Sequence, residues 1–146
     1  MPDSTVNRVT ITLDSTLDSV DQAEAMAEQQ AARAGIPEDD RYQISMAVRE
    51  ATVNAVMHGN SYDPAKKVIV SFENDGSSLI IRISDQGAGV DFDHLPDPLA
   101  PENILRGSGR GIFLMRSFMD DVQFQKHDTG TELTLIKHLP TAQTGA

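Results

Sequence analysis

The run REATVNAVMHGN, Arg49–Asn60, decides how this chain is read. Ala51 and Ala55, with Ile44, Ala47 and Val48 upstream, recur at the three- and four-residue intervals of an amphipathic helix. In the same run Glu50, Asn54 and His58 recur at a strict interval of four. Side chains four apart stand above one another on a helix. At about 100° per residue this polar stripe runs along the edge of the apolar face, not at the point most open to solvent. A solvated helix edge fits that pattern, and so does a site. As a site, Glu50 offers a partly buried carboxylate suited to general-base work. Asn54, one turn on, offers a hard neutral oxygen suited to Mg²⁺, which keeps waters and takes its remaining ligands from phosphate.

Working outward, the helix is predicted over 37–59. Glu38, Asp39 and Asp40 stand in its first turn, where the dipole favours negative charge. Met46, Val53 and Met57 are apolar on its far side, so cover from two directions is expected. Upstream, NRVTITLD alternates through Val9, Ile11 and Leu13 as a strand does. Residues 18–34 are rich in Ala, Glu and Gln and read as a helix stopped by Gly35 and Pro37. Downstream, Val68, Val70 and Phe72 alternate in one strand and Leu79, Ile81 and Ile83 in another, joined by the hairpin signal NDGS. The stretch from Gln86 to Gly111 holds three prolines and no periodicity. At roughly twenty-five residues it reads as a functional lid. GIFLMRSFMDD follows as a short apolar helix, and a last pair of strands turns near Asp128–Gly130.

The predicted order is β-α-α-β-β-lid-α-β-β. Strands in adjacent pairs imply an α+β fold: a two-layer α/β sandwich with a mixed, mostly antiparallel sheet and its helices on one face. One domain is expected over residues 5–140, with flexible ends at 1–4 and 141–146.

Composition narrows the function. Twenty-two acids against twelve bases give a net charge of −10. That disfavours nucleic acid and anionic membrane surfaces and suits a small-molecule site or a protein partner with a basic face. The chain has no cysteine, which excludes disulfides, thiolate metal sites and thiol nucleophiles. No signal peptide is visible and no apolar run reaches the ~18 residues of a membrane helix, so a cytoplasmic protein is expected.

Two further clusters stand where the chain changes direction. In SDQGAG, Asp85 follows a strand and is placed to accept hydrogen bonds from an exocyclic amine such as that of adenine. Gly87 and Gly89 permit close backbone approach or positive φ. A plain strand-ending turn fits equally. In RGSGRG, Gly107, Ser108, Gly109, Arg110 and Gly111 lead into the apolar helix. Bare N–H groups at a helix start suit phosphate, with Arg110 adding charge; a lid hinge is the alternative. The run is neither a P-loop nor a dinucleotide fingerprint, whose last glycine position falls on Ile112.

Taken in order, EATVNAVMHGN, DQGAG and GSGRGIFLM resemble the N box and two glycine boxes of the GHKL ATPases, the Bergerat-fold superfamily. Within it the chain is most similar to the anti-sigma factor serine kinases. The resemblance implies ATP and Mg²⁺ as cofactors. It makes Glu50 the general base, Asn54 the Mg²⁺ ligand, His58 the residue that ends the box, and Asp85 the acceptor of the adenine amine. Gly87 and Gly89 then shape the pocket, Gly107 to Gly111 lie beneath the lid, and Thr131 in TGTEL stands near the adenine. The implied reaction is phosphoryl transfer to a serine or threonine of an anti-anti-sigma protein of the STAS type, alternating with sequestration of a sigma factor, in a homodimer joined through the first strand and helix. Two rivals remain open: an ATP-binding partner switch without transfer, and a detached histidine-kinase catalytic domain. The second needs a phospho-accepting His on a helical hairpin, and His58, His94, His127 and His138 fall in a box, a loop or strands.

Overall fold

The computed structural model describes residues 7–87, 107–127 and 129–140. Its elements are β1 (Asn7–Asp14), α1 (Leu17–Arg33), α2 (Glu38–Asn54), a π-turn (Ala55–Gly59), β2 (Lys67–Asn74), β3 (Ser78–Ser84), α3 (Gly107–Phe118), β4 (Asp121–His127) and β5 (Gly130–His138). The five strands form one sheet in the order β1-β2-β3-β5-β4. All four pairings are antiparallel, so the mixed character allowed by the sequence is absent among the described residues.

One sheet face is apolar and buried. Leu13, Val68, Val70, Phe72, Leu79, Ile81, Ile83, Leu133 and Leu135 all lie in the core. Full burial of such a side chain stabilises by about 1.5–3 kcal/mol. A slip of one residue would carry the whole set into water, which pins the register. The other face carries Arg8, Thr10, Ser71, Arg82 and Glu132. There Glu73 accepts from Arg8 at 2.6 Å and Arg82 at 3.0 Å, and the two guanidinium groups hold its carboxyl below the usual range.

The helices cover the apolar face. Ala23, Ala27 and Ala31 of α1 are buried, as are Ile44, Ala47, Val48 and Ala51 of α2, and small side chains let these two helices pack closely. α2 also packs against α3. Of the three far-side residues, Val53 packs against the core, Met46 is half-buried and Met57 is 37% exposed. Gly35 ends α1 with φ +81°, a conformation glycine adopts without strain.

Two elements depart from expectation. The second helix does not run as α-helix to its end: residues 55–59 form a π-turn, in which Asn60 N–H donates to Ala55 C=O at 2.8 Å. α3 begins at Gly107, four residues before the expected start, so the backbone of Gly107–Gly111 is its first turn. The first four N–H groups of a helix lack intrahelical acceptors, so these amides retain the donor character expected of a loop. Most of the expected lid, with Gly89 and His94, lies outside the described residues, as do the side chains of His58, Ser108 and Arg110.

Candidate active site

The site is built around Asp85, the first residue after β3. Its N–H donates to Thr131 C=O at 2.9 Å. Its Oδ1 accepts from Thr131 N–H and Gly87 N–H, each at 3.2 Å, while Oδ2 receives no hydrogen bond from the described residues. Burial pushes the Asp85 carboxyl above its ordinary value; the two N–H groups and the Lys66 charge draw it partly back.

Three glycines let the backbone close on this carboxylate. A side chain at Gly59 would run into the Asp85 carboxyl, one at Gly87 into the Gly59 carbonyl, and one at Gly130 into the Asp85 carbonyl. Gly87 therefore serves close approach rather than positive φ. Gly130, at φ +155°, also takes up a conformation that side chains disfavour.

The rod formed by α2 and the π-turn delivers Gly59 to this point. Glu50 and Asn54 lie on that rod, both half-buried. Neither side chain makes a hydrogen bond or ion pair to another described residue. At 1.5 Å rise per residue, they stand roughly 7–13 Å along the axis from its Asp85 end. One rod thus carries an acid and an amide that pair with no other described side chain, and its tip packs against Asp85.

A purine suits this arrangement. Asp85 keeps a carboxylate oxygen that accepts from no described residue. Beside it the Thr131 hydroxyl is buried with no partner, and a buried polar group left unpaired costs about 1–3 kcal/mol. An acceptor and a hydroxyl of this kind, held between closely packed glycines, suit an aminopurine edge.

The structure thus brings Asp85, Gly87 and Thr131 together and sets Glu50 and Asn54 on the adjoining rod. Three residues of the site were not assigned a role from the sequence: Gly59, Asn60 and Gly130. Gly59 and Gly130 each border an identified motif residue, but only close packing across the fold shows what they do.

These features form an α+β domain with a candidate nucleotide site, and comparison with known proteins gives the family. The model of the histidine kinase-like ATPase domain matches residues 13–137, and the chain belongs to that family. Among its relatives is an anti-sigma F factor of Anoxybacillus flavithermus, 37% identical over 106 residues, which cover 69% of this chain and 71% of that protein. Another is the serine-protein kinase RsbW of Staphylococcus epidermidis, 36% identical over 118 residues, covering 76% and 74%. The crystal structure of RsbU and RsbW domains from a Mycobacterium tuberculosis protein superposes with a TM-score of 0.66 at 19% identity. That match spans 91% of this chain and 32% of the larger one, and it shows the shared fold.

Proposed function

We propose that the chain is an anti-sigma regulatory factor with serine/threonine protein kinase activity, as the names of its relatives suggest. The observation that carries this reading is the rod from Glu50 to Gly59, whose tip closes on Asp85 beside the unpartnered Thr131 hydroxyl.

In this reading Asp85 accepts from the adenine amine, and Thr131 completes the contact with the purine. Asn54 holds Mg²⁺ together with the nucleotide phosphates. Mg²⁺ keeps waters and takes ligands from phosphate, so a single amide oxygen of the protein would suit it. The first-turn amides of α3, from Gly107 on, face the phosphates. Bound ATP·Mg²⁺ supplies the γ-phosphoryl group and neutralises its charge. With ATP·Mg²⁺ bound, Glu50 would position the serine or threonine hydroxyl of an anti-anti-sigma partner and take its proton as that oxygen bonds to the γ-phosphorus and the bond to the bridging oxygen breaks, releasing ADP. Sigma-factor binding by the same protein, as a homodimer, then switches with nucleotide and phosphorylation state.

The test pairs two variants. Asn54→Ala should lose nucleotide binding in calorimetry with ATP and Mg²⁺. Glu50→Ala should retain binding and lose transfer of labelled phosphate to the anti-anti-sigma protein of the same organism. Transfer at the wild-type rate by Glu50→Ala rules out the general-base role.

A further inference from the structure

Asn60 is 1% exposed and lies immediately beyond the π-turn. Its side chain makes three hydrogen bonds to three separate segments. Oδ1 accepts from Gln86 N–H at 2.8 Å, at the end of β3. Nδ2 donates to Lys67 C=O at 3.0 Å, at the start of β2, and to Ser15 Oγ at 2.9 Å, at the corner between β1 and α1. Ser15 Oγ in turn donates to Lys66 C=O at 2.6 Å, and Lys67 N–H donates to Gln86 Oε1 at 2.6 Å. Both amide protons of Asn60 are used and its oxygen is held.

Gln86 stands between Asp85 and Gly87, and Gly59 stands directly before Asn60. The amide therefore ties the residue after the purine acceptor to the residue after the wall of its pocket. Beyond Asn60 the chain turns through Ser61 and Tyr62, both left-handed at φ 52° and 60°. Residues without glycine's freedom keep such angles only where neighbours enforce them. The Asn60 bonds supply that enforcement on one side of the turn.

We propose that Asn60 is the positioning residue of the purine pocket: by clamping Gln86 to the end of the π-turn, it sets where the Asp85 carboxylate meets the base. This rests on the reading of Asp85 as the purine acceptor. Asn60 itself touches no nucleotide. Its effect is confined to the exocyclic group that Asp85 reads, and it acts on the base rather than on the phosphates.

The experiment compares ATP with inosine triphosphate, whose base carries a carbonyl oxygen where adenine carries the amine. Calorimetry with Mg²⁺ is run on the wild type, Asn60→Ala and Asn60→Asp at a temperature where melting curves show all three folded. The wild type should bind ATP in preference. Asn60→Ala should bind ATP roughly tenfold more weakly, the loss of one well-placed hydrogen bond to an ionised acceptor, with inosine triphosphate affinity little changed. Asn60→Asp keeps the acceptor for Gln86 N–H but loses both donors, and should fall between. A role in stability alone lowers the melting temperature and leaves the ratio of the two affinities intact; that result, or equal losses for both nucleotides, overturns the proposal. A wild type that does not bind ATP defeats the underlying nucleotide reading instead, so the two failures are distinguishable.

Discussion

At the residue scale, Asp85 embodies a conflict between folding and recognition. Its carboxyl is pushed up mainly by burial, so the folded chain holds that proton more tightly than the unfolded chain does. The group's contribution to stability is thus fully present below the ordinary carboxylate pKa and is lost as pH rises through the raised value. Recognition runs the other way, because the ionised carboxylate is the stronger acceptor for an amine. Asp85→Asn removes the charge and can keep an oxygen facing Gly87 and Thr131 N–H. It should melt no lower than the wild type at pH 7, and the difference in melting temperature should shrink as pH falls toward 4. Its ATP affinity should drop by more than tenfold, the scale of a charge-assisted hydrogen bond. In the wild type, ATP affinity should weaken as pH falls through the Asp85 titration. Melting curves and calorimetry across that pH range check both arms, and an Asp85→Asn protein that binds ATP as the wild type does removes the acceptor role.

At the scale of elements, the π-turn is what brings the rod to the pocket. A turn closed by i→i+5 bonds holds one residue more than an α-turn, and such turns concentrate at functional sites. Met57 is exposed in this one. Deleting it should let the run close as ordinary α-helix, at little cost to core packing, while turning Gly59 and Asn60 away from Asp85 and Gln86. The expected outcome is a folded protein with near-native circular dichroism and no measurable ATP binding. Retained binding means the π-turn is dispensable. This turn also marks where the sequence stops being legible. Strands β1, β2, β3 and β5 alternate cleanly because one face is buried, so Leu13, Val70, Ile81 and their neighbours announce themselves. α1 and the body of α2 follow from alanine-rich periodicity. A single expanded turn does not alter the composition of AVMHG, and its signature in bonding exists only in three dimensions. The start of α3 was obscured for a different reason. Glycine costs up to ~1 kcal/mol in a helix, so GSGRG reads as a loop, whereas the fold places it in a first turn. The motifs that hold Glu50, Asn54, Asp85 and Thr131 stand out in the sequence through the resemblance, and the roles proposed for these residues rest on it. Gly59, Gly130 and Asn60 act through close contacts between segments distant in sequence, which no local pattern encodes.

At the scale of the whole molecule, charge sets the terms on which ligands of opposite sign arrive. A net charge of −10 on 146 residues repels a nucleotide and attracts a basic protein. At the proposed site, Lys66 near Asp85 offsets part of that repulsion locally. A protein partner meets the general field instead, including the carboxylates of Asp21, Glu24, Glu28 and Glu38 around the outer groove between α1 and α2. Arg49 reaches Asp21 at 3.0 Å and Glu24 at 2.9 Å, and Arg41 reaches Glu28 at 2.9 Å, so that groove is only partly neutralised. Long-range attraction of this kind acts on encounter more than on the lifetime of the complex, and it is screened over about 8–10 Å at physiological salt. Association with a sigma factor should therefore slow by roughly tenfold or more between low and moderately high ionic strength, with dissociation changed far less. ATP·Mg²⁺ should show the opposite or no salt trend, because screening relieves its repulsion. Stopped-flow binding over a salt series separates the two. Equal salt dependence of association and dissociation for the protein partner would mean that its contact is made through short-range pairs rather than through the field of the acidic domain.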